Sequence, residues 1–125
     1  MKQAFSASGN PVLTLPYSPG IRANGFVFAS GQVALNAKGE VVGNDVATQT
    51  RQTLENLRRV LEAAGSGMDK LVKTTVFLTD IGQFQAMNEV YRELVPEPRP
   101  ARSTVQALLA RPDLLVEIEG IALVG

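Results

Sequence analysis

The sequence predicts a single α+β domain in which two helices pack on one face of a mostly antiparallel or mixed sheet. Three observations lead to this class. The chain has 125 residues, a length that suits one domain covering residues 1–125. Segments with the period of two that is typical of strands stand at both ends, and two segments with helical spacing lie between them. The expected order is therefore strands, helix, strand, helix, strands.

The first third of the chain predicts a β-meander. Residues 26–30 are rich in aromatic and β-branched side chains, and Asn24 and Gly25 before them form a pair that is typical of tight hairpin turns. A second turn at residues 38–39 comes shortly before the apolar pair at residues 41–42. Two turns so close together indicate consecutive antiparallel strands.

The first helix is predicted over residues 46–64, where apolar and small side chains recur at spacings of three and four. Asn44 or Asp45 can cap its start, and Gly65 can adopt the left-handed conformation that follows a helix end. The stripe that should face the sheet consists of Val46, Thr50, Thr53, Leu54, Leu57, Val60, Leu61 and Ala64.

A strand over residues 71–78 precedes the second helix, for which Asp80 and Gln83 supply the spacing of a capping box. Three prolines at alternate positions from 96 to 100 end this helix, because proline lacks the backbone donor that a helix needs. One face of the helix carries Ile81, Phe84, Met87, Asn88, Tyr91, Leu94 and Val95.

Two further strands close the chain, one over residues 101–109 and one over residues 114–124. Alternation places Arg102 and Thr104 on one face of the first of them. In the second, Glu117 stands on the face opposite to a run of apolar residues. Both strands therefore bring polar side chains into the sheet.

The predicted sheet is apolar on both faces, whereas two helices cover only one. In the strand over residues 71–78, Val72 and Val76 alternate with Leu71 and Phe77. An apolar face that no helix covers has to be buried against something else. The sequence therefore predicts a homo-oligomer with closed symmetry.

The residues that the chain lacks restrict its chemistry. It contains no Cys, His or Trp. The missing Cys excludes disulfides, thiolate nucleophiles and iron–sulfur ligation, and the missing His excludes the usual catalytic triads and zinc sites. Catalysis therefore has to come from carboxylates, Arg, Lys, Tyr, hydroxyl groups and backbone dipoles, and we expect neither a metal nor a cofactor.

The charge and hydropathy of the chain point to a small-molecule partner in the cytoplasm. Twelve basic and twelve acidic residues give zero net charge, which argues against a protein that binds nucleic acid through its phosphates. The sequence has no apolar run of membrane-spanning length, and its first residues lack the apolar stretch of a signal peptide. We expect no membrane partner.

Arg102 and Glu117 are the first candidates for a functional site. The planar guanidinium of Arg102 suits a carboxylate, although a structural salt bridge is the other interpretation. Glu117 shares a face with Glu119, and of two carboxylates near an arginine one can be held by the cation while the other moves a proton. A solvated polar face explains the same pair.

Four more residues can line a cleft. Tyr17 lies between two prolines, in a loop that can aim its phenol into a cleft or use the ring as a packing anchor. Asn88 lies on the apolar stripe of the second helix, either as a buried hydrogen-bonding group or as a ligand contact. Ser30 and Gly31 end a strand, where the glycine allows close backbone approach or forms a bulge.

Six segments, taken in order, form a pattern that is specific in combination. They are PYS at 16–18, FASGQ at 28–32, VKTTVFL at 72–78, NEVY at 88–91, PARS at 100–103 and VEIE at 116–119. Together they closely resemble the Rid (YjgF) family, the reactive intermediate deaminases. The similarity runs from about residue 5 to residue 122, so it covers essentially the whole chain.

The resemblance implies a chorismate-mutase-like fold, assembled as a homotrimer with clefts between subunits. It also implies a hydrolase that acts on the C–N bond of 2-imino and 2-enamino acids, such as 2-aminoacrylate, 2-iminopropanoate and 2-iminobutanoate, and releases 2-oxo acids and ammonia. Arg102 matches the carboxylate-binding residue of the family, and Glu117 matches the residue that positions or activates water. Residues that match the cleft lining are Tyr17, Ser30, Gly31, Asn88 and Thr104.

Three positions depart from the family pattern. Leu15 stands where many members have Gly, Thr104 stands where some have Cys, and Arg99 adds a second cation near the cleft. Two alternatives stay open: a non-catalytic module that binds small carboxylates or acts like a chaperone, and a deaminase of a larger aminomuconate-like substrate. An endoribonuclease is disfavoured by the zero net charge and the missing His.

Overall fold

The computed structural model describes residues 1–8 and 14–125, and in these ranges it has six strands and two α-helices. The strands are β1 (Gln3–Phe5), β2 (Gly20–Ala23), β3 (Phe26–Val33), β4 (Leu71–Leu78), β5 (Ala101–Gln106) and β6 (Val116–Leu123). The helices are α1 (Val46–Ala63) and α2 (Phe84–Leu94). The order along the chain confirms the predicted α+β class, with β1 as an additional strand.

All six strands form one mixed sheet in the order β1-β2-β3-β6-β4-β5. Every pairing is antiparallel except that of β4 with β5, which is parallel. Parallel neighbours need a crossover, and α2 supplies it. The strand that carries Arg102 is consequently an edge strand, with α2 packed beside it.

The first predicted turn is confirmed. Asn24 and Gly25 join β2 to β3 with φ angles of 51° and 83°. Two consecutive residues with positive φ are what a type I′ hairpin turn requires, and the Asn-Gly pair adopts this conformation at low cost.

The predicted meander beyond β3 is wrong. The second turn forms, but it closes only one isolated bridge, between Leu35 and Val41. The side chain of Asn56 on α1 donates hydrogen bonds of 2.8 Å to the carbonyl groups of both Val33 and Leu35. Because a helix side chain binds these acceptors, the segment is held to α1 and does not continue as a strand.

Helix α1 begins and ends as the sequence predicts. Of the two candidate caps, Asp45 is the one that accepts a hydrogen bond from the backbone of Thr48, at 2.9 Å. This bond lowers the pKa of the Asp45 carboxyl. Gly65 follows the helix with a φ of 84°, in the left-handed region.

Helix α2 begins three residues later than the capping box predicts. Asp80 accepts a hydrogen bond from the backbone of Gly82 at 2.8 Å, and so caps a single 3-10 turn over Ile81–Gln83. The α-helix starts at Phe84.

Within the described ranges, no helix is long and apolar enough to cross a membrane.

The core lies between the two helices and one face of the sheet. Val72 and Val76 were expected on the same face, but the register between β4 and β6 shifts at Val72. Val72 is consequently 38% exposed, whereas Val76 is fully buried. The fully buried core side chains include Val27, Leu54, Leu57, Leu61, Val76, Leu78, Met87, Val116 and Ile118.

No described element covers the other face of the sheet. Phe28, Val105 and Leu123 are each between 43% and 45% exposed there. An exposed apolar sheet face of this kind favours burial against further copies of the chain. The homotrimer stays a prediction.

Candidate functional site

Arg102 lies on β5 and faces α2. The centre of its guanidinium lies 4.7 Å from the ring centroid of Tyr91 and 5.6 Å from that of Phe84. Its nearest polar contact is the sulfur of Met87, at 3.9 Å. Within residues 1–8 and 14–125 it has no oxygen acceptor, so cation–π contacts hold the charge while the N–H groups stay available to a ligand.

The Tyr91 ring beneath Arg102 is itself fixed. Tyr91 is only 4% exposed, and its hydroxyl shares a hydrogen bond of 2.7 Å with the hydroxyl of buried Thr74 on β4. Burial raises the pKa of the Tyr91 hydroxyl, so this group stays neutral. The tyrosine therefore acts as a rigid platform for Arg102.

A cavity of about 240 Å3 opens beside this platform. It is lined by Asn88, Tyr91, Arg92, Arg99, Pro100 and Arg102. Two buried oxygen atoms nearby, Oδ1 of Asn88 and Oγ1 of Thr104, have no hydrogen-bond partner in the part of the chain that the structure describes. A buried polar atom without a partner costs roughly 1–3 kcal/mol, so both positions favour a ligand or water. We call Asn88, Tyr91, Arg102 and Thr104 the arginine half-site.

Glu117 lies on β6 and points to the uncovered face of the sheet. It stands against Gly31, in the stretch where the register of β3 with β6 shifts. A β-carbon placed on Gly31 would lie only 2.7 Å from the carboxyl carbon of Glu117. The glycine is therefore needed for close approach of the backbone to this carboxylate.

Burial raises the pKa of Glu117, and the charge of Glu119 raises it further. Among the described residues, the Glu117 carboxylate has neither a hydrogen bond nor an ion pair. A half-buried carboxylate without a partner holds a proton more readily than an exposed one. Glu117 is consequently suited to proton transfer closer to neutral pH.

The loop that carries Tyr17 is attached to the same region. The hydroxyl of Ser30 donates a 2.6 Å hydrogen bond to the carbonyl of Ser18, and the backbone of Ser30 donates one of 2.8 Å to Pro19. Tyr17 is 57% exposed, so it is not the packing anchor of the alternative interpretation. We call Tyr17, Ser30, Gly31 and Glu117 the glutamate half-site.

The two half-sites lie on opposite faces of the sheet. Arg102 is opposite Thr74 of β4, whereas Glu117 is opposite Phe77 of the same strand. Thr74 and Phe77 are three positions apart, and such positions point to opposite faces. The structure therefore brings the predicted site residues into two groups, and one chain does not bring the two groups together.

Sequence reasoning missed the aromatic support of Arg102. Tyr91 and Phe84 were assigned only to the buried stripe of a helix, and Thr74 was assigned no role. Their spacing carries no signal for a contact with a strand 11 to 18 residues away.

In the described ranges, no group of three or more His, Cys, Asp or Glu side chains is placed to hold a metal ion.

The comparisons with known proteins agree on the family. A family model described as Endoribonuclease L-PSP matches residues 8–124. The chain belongs to this family, which is also known as YjgF, RutC or Rid. A RutC family protein of Pyrococcus horikoshii is 43% identical over 123 residues, which cover 98% of each protein.

Two further Rid relatives have more specific names. A chloroplastic Reactive Intermediate Deaminase A of Arabidopsis thaliana is 39% identical over 97% of this chain and 65% of its own length. A crystal structure of E. coli TdcF with bound serine superimposes with a TM-score of 0.86 at 34% identity, over 98% of this chain and 99% of that one. The deaminase relative supports a general deaminase role for this Rid chain.

Proposed function

We propose that the chain hydrolyses 2-imino and 2-enamino acids, such as 2-iminopropanoate, 2-aminoacrylate and 2-iminobutanoate, to 2-oxo acids and ammonia. The observation that carries the proposal is the Arg102 guanidinium, which borders a cavity without an anionic partner in the described residues. An unpaired cation that is held in one orientation favours an anionic ligand. The amino acid in the related TdcF structure is a ligand of this kind.

In the proposed complex, Arg102 binds the substrate carboxylate with two parallel N–H groups. This contact orients the neighbouring C=N bond, and orientation alone contributes several kcal/mol to catalysis. Asn88 offers its unpartnered Oδ1 to an N–H of the imine or enamine, and Thr104 offers a hydroxyl. Neither contact needs a cofactor or a metal.

Glu117 acts on the water. Its carboxylate takes a proton from a water molecule while the oxygen adds to C2, so that the C=N bond becomes a C–N single bond. Glu117 returns this proton to the nitrogen, which becomes an amino group. The hydroxyl proton of the adduct then passes through the same carboxylate to the amino group, the C–N bond breaks, and ammonia leaves as the C=O bond forms. An enamine first gains a proton from water at C3 and loses one from nitrogen, and so becomes the imine. A positioned carboxylate contributes on the order of 10²–10⁴-fold to such proton transfers.

A complete site needs both half-sites, and we propose that neighbouring copies in a homotrimer supply them. The argument is geometric, because Arg102 and Glu117 leave opposite faces of one sheet and cannot reach a common small molecule in one chain. Glu117 also lies on the uncovered apolar face that favours association. The cleft between copies then joins Arg102 of one to Glu117 of the next.

A direct assay of imine decay tests the proposal. A threonine or serine dehydratase generates the imine, and semicarbazide traps what remains of it. We expect the wild-type chain to lower the trapped imine, Arg102→Ala to lose at least about 10²-fold of that activity, and Lys38→Ala, an exposed control, to retain it. Measuring only the final 2-oxo acid would mislead, because spontaneous hydrolysis gives the same product.

The same assay separates the alternatives. Wild-type protein that binds small carboxylates without lowering the imine level would support the non-catalytic module and overturn the deaminase. The family description also names an endoribonuclease, a role that the zero net charge disfavours. RNA cleavage that disappears in both Arg102→Ala and Glu117→Ala would support this role. A cytoplasmic location stays part of the proposal.

A further inference from the structure

The cavity beside Arg102 holds more positive charge than one carboxylate requires. Arg92 and Arg99 line it together with Arg102. Helix α2 carries two acidic residues: Glu93 pairs with Arg51 on α1 at 2.6 Å, and Glu89 makes no ion pair within the described ranges. Three arginines thus line a cavity of about 240 Å3 and make it strongly cationic.

Arg99 is held firmly at the edge of this pocket. Its Nε donates to the carbonyl of Val95 at 3.1 Å, and its Nη2 donates to the carbonyl of Arg92 at 3.0 Å. These carbonyls end helix α2, where a cation is favourable. Its one carboxylate partner among the described residues, Glu97, is 80% exposed, so water weakens their pairing. The positive charge of Arg99 is therefore only weakly compensated, and two of its five N–H groups make no hydrogen bond within the described ranges.

Arg92 differs from Arg99 in that no polar contact with a described residue holds its side chain. Its side chain is exposed and has no ion pair or hydrogen bond within the described ranges, although it borders the cavity. An exposed arginine without such contacts, beside one that is held in place, suits an anionic group whose distance from the first carboxylate varies.

From this pocket we infer the substrate class: the chain favours 2-imino acids that carry a second carboxylate at the end of the side chain. Arg102 binds the carboxylate next to the imine, and Arg92 and Arg99 bind the distal one. The inference rests on the proposed function. It concerns which imine is bound best and leaves the chemical step unchanged.

Two imines of equal chain length test the inference. A broad L-amino-acid oxidase converts glutamate to 2-iminoglutarate and norvaline to 2-iminopentanoate, which has a methyl group in place of the distal carboxylate. Semicarbazide trapping measures the decay of each imine, and initial rates over a substrate range give kcat/KM. We expect the wild-type chain to favour 2-iminoglutarate by on the order of 10-fold, since charge-assisted contacts are worth this much.

Arg92→Gln supplies the decisive variant because it removes an exposed charge and no described contact. We expect it to lose on the order of 10-fold in kcat/KM for 2-iminoglutarate, by a higher KM, and less than about 2-fold for 2-iminopentanoate. Arg92→Lys, which keeps the charge, should restore part of the loss. Lys38→Gln, an equal charge change elsewhere on the surface, should affect neither imine.

Four outcomes would overturn the inference. Equal losses for both imines would mean that Arg92 only attracts anions in general. An unchanged preference in Arg92→Gln would show that Arg92 does not contact the distal carboxylate. A smaller oligomer on size-exclusion chromatography would show that Arg92 instead contacts a neighbouring subunit. A wild-type chain that accelerates the neutral imine alone would reject the inference but keep the deaminase, whereas acceleration of neither imine would reject the proposed function itself.

Discussion

The arginine half-site stabilises the charged form of its central side chain, whereas the glutamate half-site destabilises the charged form of its own. Arg102 stacks on Tyr91 and Phe84, whose π faces stabilise the cation without occupying its donors. Glu117 stands against a backbone, partly desolvated and beside Glu119, and these surroundings destabilise its charged form. One region thus keeps a permanent charge for binding, while the other keeps a carboxylate that gains and loses a proton easily.

The largest expected effect comes from Glu117→Gln, which removes proton transfer and leaves the arginine half-site intact. We expect imine decay to slow by on the order of 10²–10⁴-fold in the trapping assay. The matched control is Glu119→Gln, an equal charge change on the same face of β6, which should stay within about 3-fold of wild type. Equal losses in the two variants would make Glu117 only one contributor to a negative surface.

The same variant should change stability in a pH-dependent way. Because the pKa of Glu117 is raised in the folded chain, the folded state holds this proton at a pH where the unfolded state has lost it. The Glu117 contribution is therefore most favourable below the ordinary carboxyl pKa, about pH 4, and is lost as the pH rises through the raised value.

Glu117→Gln has no titrating group at this position, so its stability does not fall with rising pH for this reason. Its melting temperature should exceed that of the wild-type chain at pH 7, and the difference should shrink toward pH 4. Thermal unfolding followed by circular dichroism at both pH values measures this. A difference that is constant with pH would show that Glu117 titrates as an ordinary carboxyl and would remove the contrast between the half-sites.

Gly31→Ala sharpens the comparison with a smaller effect. The added β-carbon has to displace the Glu117 carboxylate, and we expect about 10-fold lower kcat/KM with little change in KM, since substrate binding rests on Arg102. The double variant with Glu117→Gln should lose little more than Glu117→Gln alone. Fully additive losses would mean that Gly31 acts on something other than this carboxylate.

The smallest effects concern the platform under Arg102. Tyr91→Leu removes the π face, so KM should rise by roughly 3- to 10-fold, in line with the ~1 kcal/mol of a cation–π contact. Tyr91→Phe keeps the ring and loses only the hydrogen bond to Thr74, so KM should stay within about 2-fold while unfolding becomes about 1 kcal/mol easier. If KM rises equally in both variants, the hydroxyl rather than the ring supports Arg102.

Much of the fold depends on interactions between residues that are close in the sequence. The Asn24-Gly25 turn, the Asp45 cap and the Gly65 helix end each depend on a few neighbouring residues, and each is confirmed. The missed features depend on distant ones. The segment after β3 is not a strand because Asn56, more than twenty residues away, binds its carbonyls.

The candidate site divides in the same way. Alternation predicts that Arg102 and Thr104 share a face of β5, and the register with β4 confirms it. Their identification as site residues comes from the family pattern and stays a prediction. The support from Tyr91 and the buried oxygen of Asn88 appear only when α2 packs against β5, because a stripe of helical residues does not say which strand it meets.

By itself, the sequence determined the class of the domain, its Rid family and the kind of chemistry open to a chain without Cys or His. Only the tertiary structure decided that the side chains of Arg102 and Glu117 project from opposite faces of one sheet. The physical reason is that the period of two relates side chains within a strand, while the face that two strands share depends on their pairing. The proposed complete site therefore depends on how copies of the chain assemble.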